Sequence, residues 1–317
     1  MSKLDKYYRL PSKQMWKGRL SSKICPNEYW HEKIFIEREG IKNINPNSDV
    51  GIIGYVCDEG VKRNNGRIGA ANGPKSIREQ LGKLSFHSEK NVSDYGDVIC
   101  IENNMENAQE VFSNLTKKII ESGQLSVGIG GGHDLAYGHF CGIKKALKKS
   151  KIGIINFDAH FDLRPPSEKS NSGTPFYQIL SEFNNQVNYL PVGIQKFSNP
   201  RSLYKIASEF EIDHIAIEDC TLNNIKNVFT IIDNFIQKSE SIYLSIDLDG
   251  FASYHAPGVS APGPFGFSVE FFRILLERIL KTNKVVAIDI VELNPIYDTD
   301  SITAKLASQI IDIAVSR

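Results

Sequence analysis

The sequence has no excess of charge of either sign. Lys plus Arg and Asp plus Glu both number 37 among 317 residues, so the formal net charge at neutral pH is zero. Proteins that bind nucleic acid or an anionic membrane surface usually carry a basic stripe, and this sequence contains none. We therefore expect neither nucleic acid nor a membrane as a partner.

Long apolar segments are also missing. No run of about 18 consecutive apolar residues could span a bilayer, and residues 1–8 lack the apolar core of a secretory signal. The five cysteines are odd in number and contain no C-x-x-C spacing, which argues against a disulfide framework and against a zinc knuckle. Together these absences predict a cytoplasmic protein with buried thiols.

The chain contains no repeat, low-complexity tract or linker that would divide it. Residues 1–48 are predicted to form an irregular N-terminal arm and residues 49–317 a single α/β domain. Apolar spacing of three and four residues predicts helices after Ser268 and Asp300, the expected N-caps. Short apolar runs alternate with helical patterns, which is typical of a mainly parallel sheet covered on both faces. Eight strands are predicted near residues 50–56, 97–101, 125–130, 151–157, 188–194, 213–217, 242–247 and 284–290.

Three side chains that can bind metal alternate directly after the apolar run 152–155. Alternate side chains of an extended backbone point to the same face, so Asp158, His160 and Asp162 project together. In open α/β sheets, ligands bind at the carboxyl ends of the strands. The pattern therefore predicts a cation site at the end of this strand.

Two further predicted strands end in side chains of the same kind. One runs into the glycine turn 130–132 and presents His133, and another ends in Asp247 and Asp249, which share a face. The turn could instead belong to a dinucleotide fingerprint, but His133 stands where its third glycine would be. Two aspartates separated by one residue, without other ligands nearby, are common on protein surfaces. Four carboxylates and two imidazoles without a thiolate, however, match two cations such as Mn²⁺.

Three other polar residues have more than one interpretation, and a fourth, His139, has one. Asp289 lies within an apolar run and is either a site group or a structural carboxylate paired with a neighbouring loop. Glu292 either meets a cationic substrate nitrogen or is merely solvated. His255 could act as a proton relay, although a packed loop histidine is the simpler interpretation, and His139 is interpreted as structural.

Four motifs in this order resemble those of the arginase/agmatinase ureohydrolase superfamily: Gly130–His133, Asp158–Asp162, Ser245–Asp249 and Asp289–Pro295. Within it, the chain is most similar to formimidoylglutamases, through residues 63–74, 132–139, 162–165, 171–176 and 256–262. The resemblance implies an arginase-like three-layer α/β/α sandwich on an eight-stranded sheet, two Mn²⁺ ions and a homo-oligomer, either a trimer or a hexamer. It also implies hydrolysis of N-formimidoyl-L-glutamate to L-glutamate and formamide in histidine degradation, by a hydroxide that bridges the two ions.

The resemblance also implies a role for each residue of the motifs. One ion would be held by His133, Asp158, Asp162 and Asp247, and the other by Asp158, His160, Asp247 and Asp249, so that Asp158 and Asp247 bridge the two. Glu292 would orient the amidine nitrogens of the substrate. Asp162 would relay a proton to the departing amine.

The stretch after the second motif differs from that of arginases. Arginases carry there, within S-G-N-L-H, a histidine that helps to move protons, whereas this chain has Ser172–Phe176, and an aromatic ring cannot do that. This weighs against arginine as the substrate. A guanidinium is a rigid fork suited to a carboxylate, so Arg164 and Arg67 are predicted substrate anchors, with Asn65 and Ser172 as neutral donors. The alternative role of each arginine is a surface ion pair.

Two other functions remain open at this point. The chain could be another amidine or guanidine hydrolase, of the agmatinase or guanidinobutyrase type. It could also be a metal-binding but inactive relative with a regulatory or assembly role, although the retention of all six ligand candidates and of Glu292 argues against this.

Overall fold

A computed structural model describes residues 2–316. Within this range ten strands form one sheet, in the order β1-β4-β3-β5-β10-β9-β6-β7-β8, with β2 also paired to β4. All pairings are parallel except that of β1 with β4. The strands are β1 (Tyr8–Arg9), β2 (Phe35–Ile36), β3 (Val50–Val56), β4 (Val92–Ile99), β5 (Leu125–Ile129), β6 (Ile152–Phe157), β7 (Val187–Ile194), β8 (Ile215–Ala216), β9 (Ser241–Asp247) and β10 (Val285–Val291).

Helices cover both faces of this sheet. Because alternate side chains of a strand point to opposite faces, neighbours such as Ile154 and Ile155 belong to different apolar clusters. Within the described residues, no helix is both long enough and apolar enough to cross a membrane. The helices are α1 (Lys3–Tyr7), α2 (Trp30–Lys33), α3 (Glu59–Arg63), α4 (Gly73–Leu81), α5 (Met105–Glu121), α6 (Leu135–Ala146), α7 (Pro175–Phe183), α8 (Arg201–Glu209), α9 (Ile225–Gln237), α10 (Val269–Leu280) and α11 (Ile302–Val315).

The core lies in two layers, one on each side of the sheet. On one side, β5, β6, β9 and β10 pack against α4, α9, α10 and α11. On the other side, β6, β7, β9 and β10 pack against α6, α7 and α8, while β3 and β4 pack against α5. This arrangement confirms the predicted three-layer α/β/α sandwich with a mainly parallel sheet.

The predicted number of strands was too low. Each of the eight predicted strands is present, although β4 begins at Val92 rather than near residue 97. The two additional strands, β1 and β2, come from the N-terminal segment and both pair with β4. Each contains only two residues, as β8 does, and the pairing of β1 and β2 with β4 leaves no local pattern in the sequence.

The two predicted helix starts had different outcomes. Ser268 caps α10 as predicted, because its side chain accepts a hydrogen bond from the Phe271 amide. The prediction for Asp300 was wrong: Asp300 adopts a left-handed conformation with φ of 51°. Asp298 instead accepts from the amides of Thr303 and Ala304, at 2.8 and 2.9 Å. A short 3₁₀ turn precedes α11, and this moves the capping carboxylate back by two positions.

Candidate metal centre

The candidate site lies at the carboxyl ends of four adjacent strands. The sheet order places β5, β10, β9 and β6 side by side. These strands end just before His133, just before Glu292, at Asp247 and just before Asp158. Because the strands are parallel, their carboxyl ends meet at one edge of the sheet.

A glycine turn brings His133 into this edge. Gly130 and Gly131 have φ of 75° and 76°, and a Cβ on Gly130 would lie 2.3 Å from Cδ of Pro74. A residue other than glycine would therefore have a strained backbone at either position, and at position 130 its Cβ would also clash with Pro74. The Gly132 amide donates to the Cys57 carbonyl at 3.0 Å, which joins the turn to the end of β3.

Four side chains form a first group around one nitrogen. Nδ1 of His133 lies 3.2 Å from Asp158, 2.9 Å from Asp162 and 3.1 Å from Asp247, measured to a carboxylate oxygen of each. One potential ligand atom from each of these four residues lies within 4.8 Å of the others. This set is the one that the family resemblance implied for the first ion.

A second group shares Asp158 with the first. Nδ1 of His160 lies 3.4 Å from Oδ1 of Asp158 and 3.2 Å from Oδ2 of Asp249. Oδ2 of Asp158 faces His133 instead, so its two oxygens face different groups. Asp247 belongs to the first group only at this separation of ligand atoms, so a bridging role for Asp247 stays a prediction, as does the assignment of all six residues as ligands.

The hydrogen bonds of His133 show that the first group is suited to a cation. Ser245 donates to Oδ1 of Asp289 at 2.7 Å, so its oxygen must accept the Nε2–H of His133 at 2.9 Å. In the neutral ring, the lone pair of Nδ1 then faces three carboxylates. This arrangement is repulsive unless a cation or a proton lies between them, which is the donor set expected for a divalent ion.

Burial and mutual repulsion perturb the acids and bases of the site. Burial, with the charges of Asp249 and Asp158, raises the pKa of Asp247 well above its ordinary value. Burial and the Asp158 charge likewise raise the pKa of Asp162. Burial would lower the pKa of His133, but its hydrogen bonds with Asp158, Asp162 and Asp247 raise it well above its ordinary value. A divalent cation would replace that proton and neutralise the carboxylates.

Glu292 adjoins the first group without belonging to it. Its Oε1 accepts the His133 amide at 2.8 Å, and burial raises its pKa to about 8. Both Glu292 and Asp162 have positive φ, 67° and 47°, a backbone conformation that is uncommon for residues other than glycine. Such conformations are often found at functional sites, where the surrounding structure holds them.

A cavity of about 310 Å³ opens above the two groups. Its walls include all four predicted substrate anchors, namely Asn65, Arg67, Arg164 and Ser172. They also include residues without a predicted role: Asn64, Ser260 and Ala261, which lie within stretches that resemble formimidoylglutamases, and Ser198 and Asn199, which do not. No sequence period could identify these residues, because they come from loops that only the fold brings together.

The two predicted arginine anchors differ in their hydrogen bonds. Arg67 donates to the carbonyls of Ser260 and Val259, and its guanidinium lies 3.9 Å from the ring centroid of Tyr297. Arg164 donates once, from Nη1 to Asn64, and has no ion-pair partner among residues 2–316. Arg164 therefore keeps more donors available for a ligand than Arg67 does.

The structure also shows the contacts of Asp289, His139 and His255, three polar residues outside the two groups. Asp289 accepts from His139, Tyr243 and Ser245, so it is a structural carboxylate that reaches His133 only through Ser245. His139 is likewise structural, because it lies between Asp289 and Ser126. His255 packs against Tyr254, with the two rings tilted by 51°, and does not line the cavity formed by the described residues.

Comparison with known proteins agrees with this geometry. A family model described as the arginase family matches residues 48–315. Two formimidoylglutamases are similar over 95% of this chain and 94% of their own length: that of Geobacillus sp. (strain WCH70) is 36% identical and that of Geobacillus thermodenitrificans (strain NG80-2) 37% identical.

A solved structure is also similar. The formiminoglutamase of Trypanosoma cruzi, solved with two Mn²⁺ ions, has a TM-score of 0.77 and 25% sequence identity. The similarity covers 86% of this chain and 94% of that one.

Proposed function

This chain belongs to the arginase family, and on that premise we propose that it hydrolyses N-formimidoyl-L-glutamate to L-glutamate and formamide, using two Mn²⁺ ions. One observation carries the proposal. A single cavity combines the two groups of imidazoles and carboxylates with Arg164, a guanidinium that has no ion-pair partner in the described chain. The first feature suits hydrolysis of an amidine, and the second suits a substrate that bears carboxylates.

The residues of the site have distinct parts in this reaction. Divalent cations lower the pKa of a water that they bind and so supply a nucleophile near neutral pH. Glu292 lies beside the first group with a pKa of about 8, and a cationic amidinium next to it would favour its carboxylate form. Asp162 belongs to the first group and also lines the cavity, so we expect this carboxylate to relay a proton to the departing amine.

The position of Phe176 weighs against arginine as the substrate. Phe176, which stands where arginases carry a proton-moving histidine, is fully buried and stacks on Tyr189 at 4.5 Å between ring centroids. Its ring also meets His133 edge-on at 5.3 Å. Phe176 therefore packs behind a ligand candidate, and no proton transfer can pass through it.

An assay with four substrates tests the proposal. Release of glutamate, formamide or urea is measured with formimidoylglutamate, arginine, agmatine and guanidinobutyrate, with and without Mn²⁺. We expect formimidoylglutamate to have the highest kcat/KM, and activity to require the metal. A preference for agmatine or guanidinobutyrate would replace this proposal by the other amidine-hydrolase function, and a Mn²⁺-loaded protein without any activity would support the inactive relative.

Three further properties belong to the same proposal. The reaction would take place in histidine degradation, in the cytoplasm, and in a homo-oligomer that is a trimer or a hexamer. Five free cysteines support a reducing compartment. Exposed aromatic side chains support an oligomer: Phe197, Tyr254 and Phe265 are 83%, 70% and 65% exposed.

A further inference from the structure

Asn64 is the first residue after α3 and lies in the wall of the cavity. The helix ends in a turn in which the Asn65 amide donates to the Lys62 carbonyl at 3.0 Å and the Gly66 amide to the Val61 carbonyl at 2.8 Å. Asn65 has a φ of 59°, which the turn requires. The backbone therefore ends the helix without the Asn64 side chain, which is free for other contacts.

The Asn64 side chain joins two of the predicted substrate anchors. Nη1 of Arg164 donates to its Oδ1 at 2.6 Å, and its Nδ2 donates to Oγ of Ser172 at 3.1 Å. A guanidinium has no acceptor, so the amide oxygen must face Arg164. The amide NH₂ must then face Ser172, and the orientation of the side chain is determined by chemistry alone.

This orientation leaves hydrogen-bond donors directed away from Asn64. Ser172 is 7% exposed and accepts from Asn64, and among residues 2–316 its hydroxyl has no acceptor for its own hydrogen. Arg164 uses only Nη1 within the same range, so its Nε and Nη2 donors have no protein partner. A carboxylate accepts from a guanidinium and a hydroxyl at once, and these two donors line one cavity.

The backbone on either side makes the arrangement rigid. The Arg164 amide donates to the Gly173 carbonyl at 2.9 Å, and the Ser172 amide donates to the Gly60 carbonyl at 3.1 Å. These bonds tie together α3, the segment after Asp162 and the segment before α7. Only the side chains of Arg164 and Ser172 remain to be oriented, and Asn64 contacts both.

We propose that Asn64 is a positioning residue that presents Arg164 and Ser172 as a paired binding site for a carboxylate of the substrate. The inference rests on the proposed function, because only a substrate with carboxylates would use this site. It adds a residue whose role is substrate selection and whose side chain takes no part in the chemistry.

The substitution Asn64→Ala tests the inference. We expect the KM for formimidoylglutamate to rise by at least about tenfold, because one charge-assisted hydrogen bond and the orientation of two donors are lost, while kcat changes little. Lys62→Ala is the matched control, since Lys62 lies in α3 just before Asn64 and, among residues 2–316, its exposed side chain pairs only with Glu59 at 3.6 Å. Thermal unfolding of both variants shows whether the fold is kept.

Two comparisons separate positioning from a structural role. A formimidoyl alkylamine without carboxylates should be hydrolysed equally by the wild type and by Asn64→Ala. Adding Asn64→Ala to Arg164→Ala should raise KM much less than Asn64→Ala alone does, because the first residue acts largely through the second. Equal losses with both substrates, or additive losses in the double variant, would overturn the inference.

Binding of L-glutamate, measured by calorimetry, keeps the two proposals distinguishable. If the wild type hydrolyses formimidoylglutamate but the KM of Asn64→Ala is unchanged, the inference fails and the function stands. If the wild type prefers another substrate, the proposed function fails. Weaker glutamate binding by Asn64→Ala would then still support the carboxylate site, and unchanged binding would refute it.

Discussion

At the scale of the residue, Ser245 joins a ligand candidate to a buried carboxylate. Its hydroxyl accepts from Nε2 of His133 and donates to Asp289, which His139 and Tyr243 also contact. Partners of this kind hold the ring of a metal-binding histidine and set its tautomer. The Ser245 hydroxyl should therefore affect the affinity for the cation although it does not face it.

We expect Ser245→Ala to weaken Mn²⁺ binding by about 10- to 100-fold, because His133 loses the acceptor that directs its Nδ1 lone pair to the carboxylates. Calorimetric titration of the metal-free protein with Mn²⁺ measures the change. Ser126→Ala is the control: Ser126 is also fully buried in the sheet, but it contacts His139 at the far end of the same network. Similar affinities for the two variants would contradict the prediction.

At the scale of the element, a buried arginine joins α4 to β4 through two ion pairs. Arg78 in α4 donates to Asp94 at 2.8 and 2.9 Å and to Asp97 at 2.7 Å, and both acids lie in β4. The indole of Trp16 also donates to Asp94, at 2.8 Å, and so ties the N-terminal segment to the same strand. Arg78 and Asp94 are both fully buried. Water therefore cannot stabilise either charge, and each charge is stabilised by the other.

We expect Arg78→Ala to lower the free energy of unfolding by about 3–5 kcal/mol, because two carboxylates are left buried without a cation. Urea denaturation measures the loss. Arg273→Ala is the control, since Arg273 pairs with Glu277 at 2.7 Å while its side chain is 50% exposed. It should cost less than about 0.5 kcal/mol. Equally small losses of unfolding free energy in the two variants would show that the buried ion pairs of Arg78 contribute no more than the exposed ion pair of Arg273.

At the scale of the whole molecule, the two groups at the sheet edge couple metal binding to folding. Four carboxylates and two imidazoles converge from three strands that are far apart in the sequence. The unfolded chain has no such site, so a cation that binds there stabilises only the folded state. Removal of the cation should therefore lower the free energy of unfolding of the whole domain.

We expect Mn²⁺ to raise the free energy of unfolding by about 2.7 kcal/mol per ion when its concentration is 100 times Kd. Differential scanning calorimetry in Mn²⁺ and in a chelator measures the resulting shift in Tm. The shift should shrink as pH falls. Because the pKa of His133 is raised by Asp158, Asp162 and Asp247, a proton competes for Nδ1 up to a higher pH than usual. A Tm that is the same with Mn²⁺ and with chelator would contradict the prediction.

The sequence by itself determined the local features of the site. The period of two in Asp158, His160 and Asp162 comes from the geometry of an extended chain, which acts over neighbouring residues. Seven of the ten strands in the described range could be predicted for the same reason, since each has five or more residues, and an eighth, β8, was predicted although it contains only Ile215–Ala216. The two-residue strands β1 and β2 could not, because their pairing with β4 leaves no local pattern.

Only the tertiary structure decided which groups meet. Ser245 and Asp289 are 44 residues apart, and Asn64 and Arg164 are 100 residues apart. Their contacts depend on the order β5-β10-β9-β6 and on the path of the loops above it, and no periodicity in the sequence encodes either. A side-chain hydrogen bond requires its two atoms to lie within about 3 Å. The chain dictates which side chains can bind, and the packing of the sheet decides which of them share one cavity.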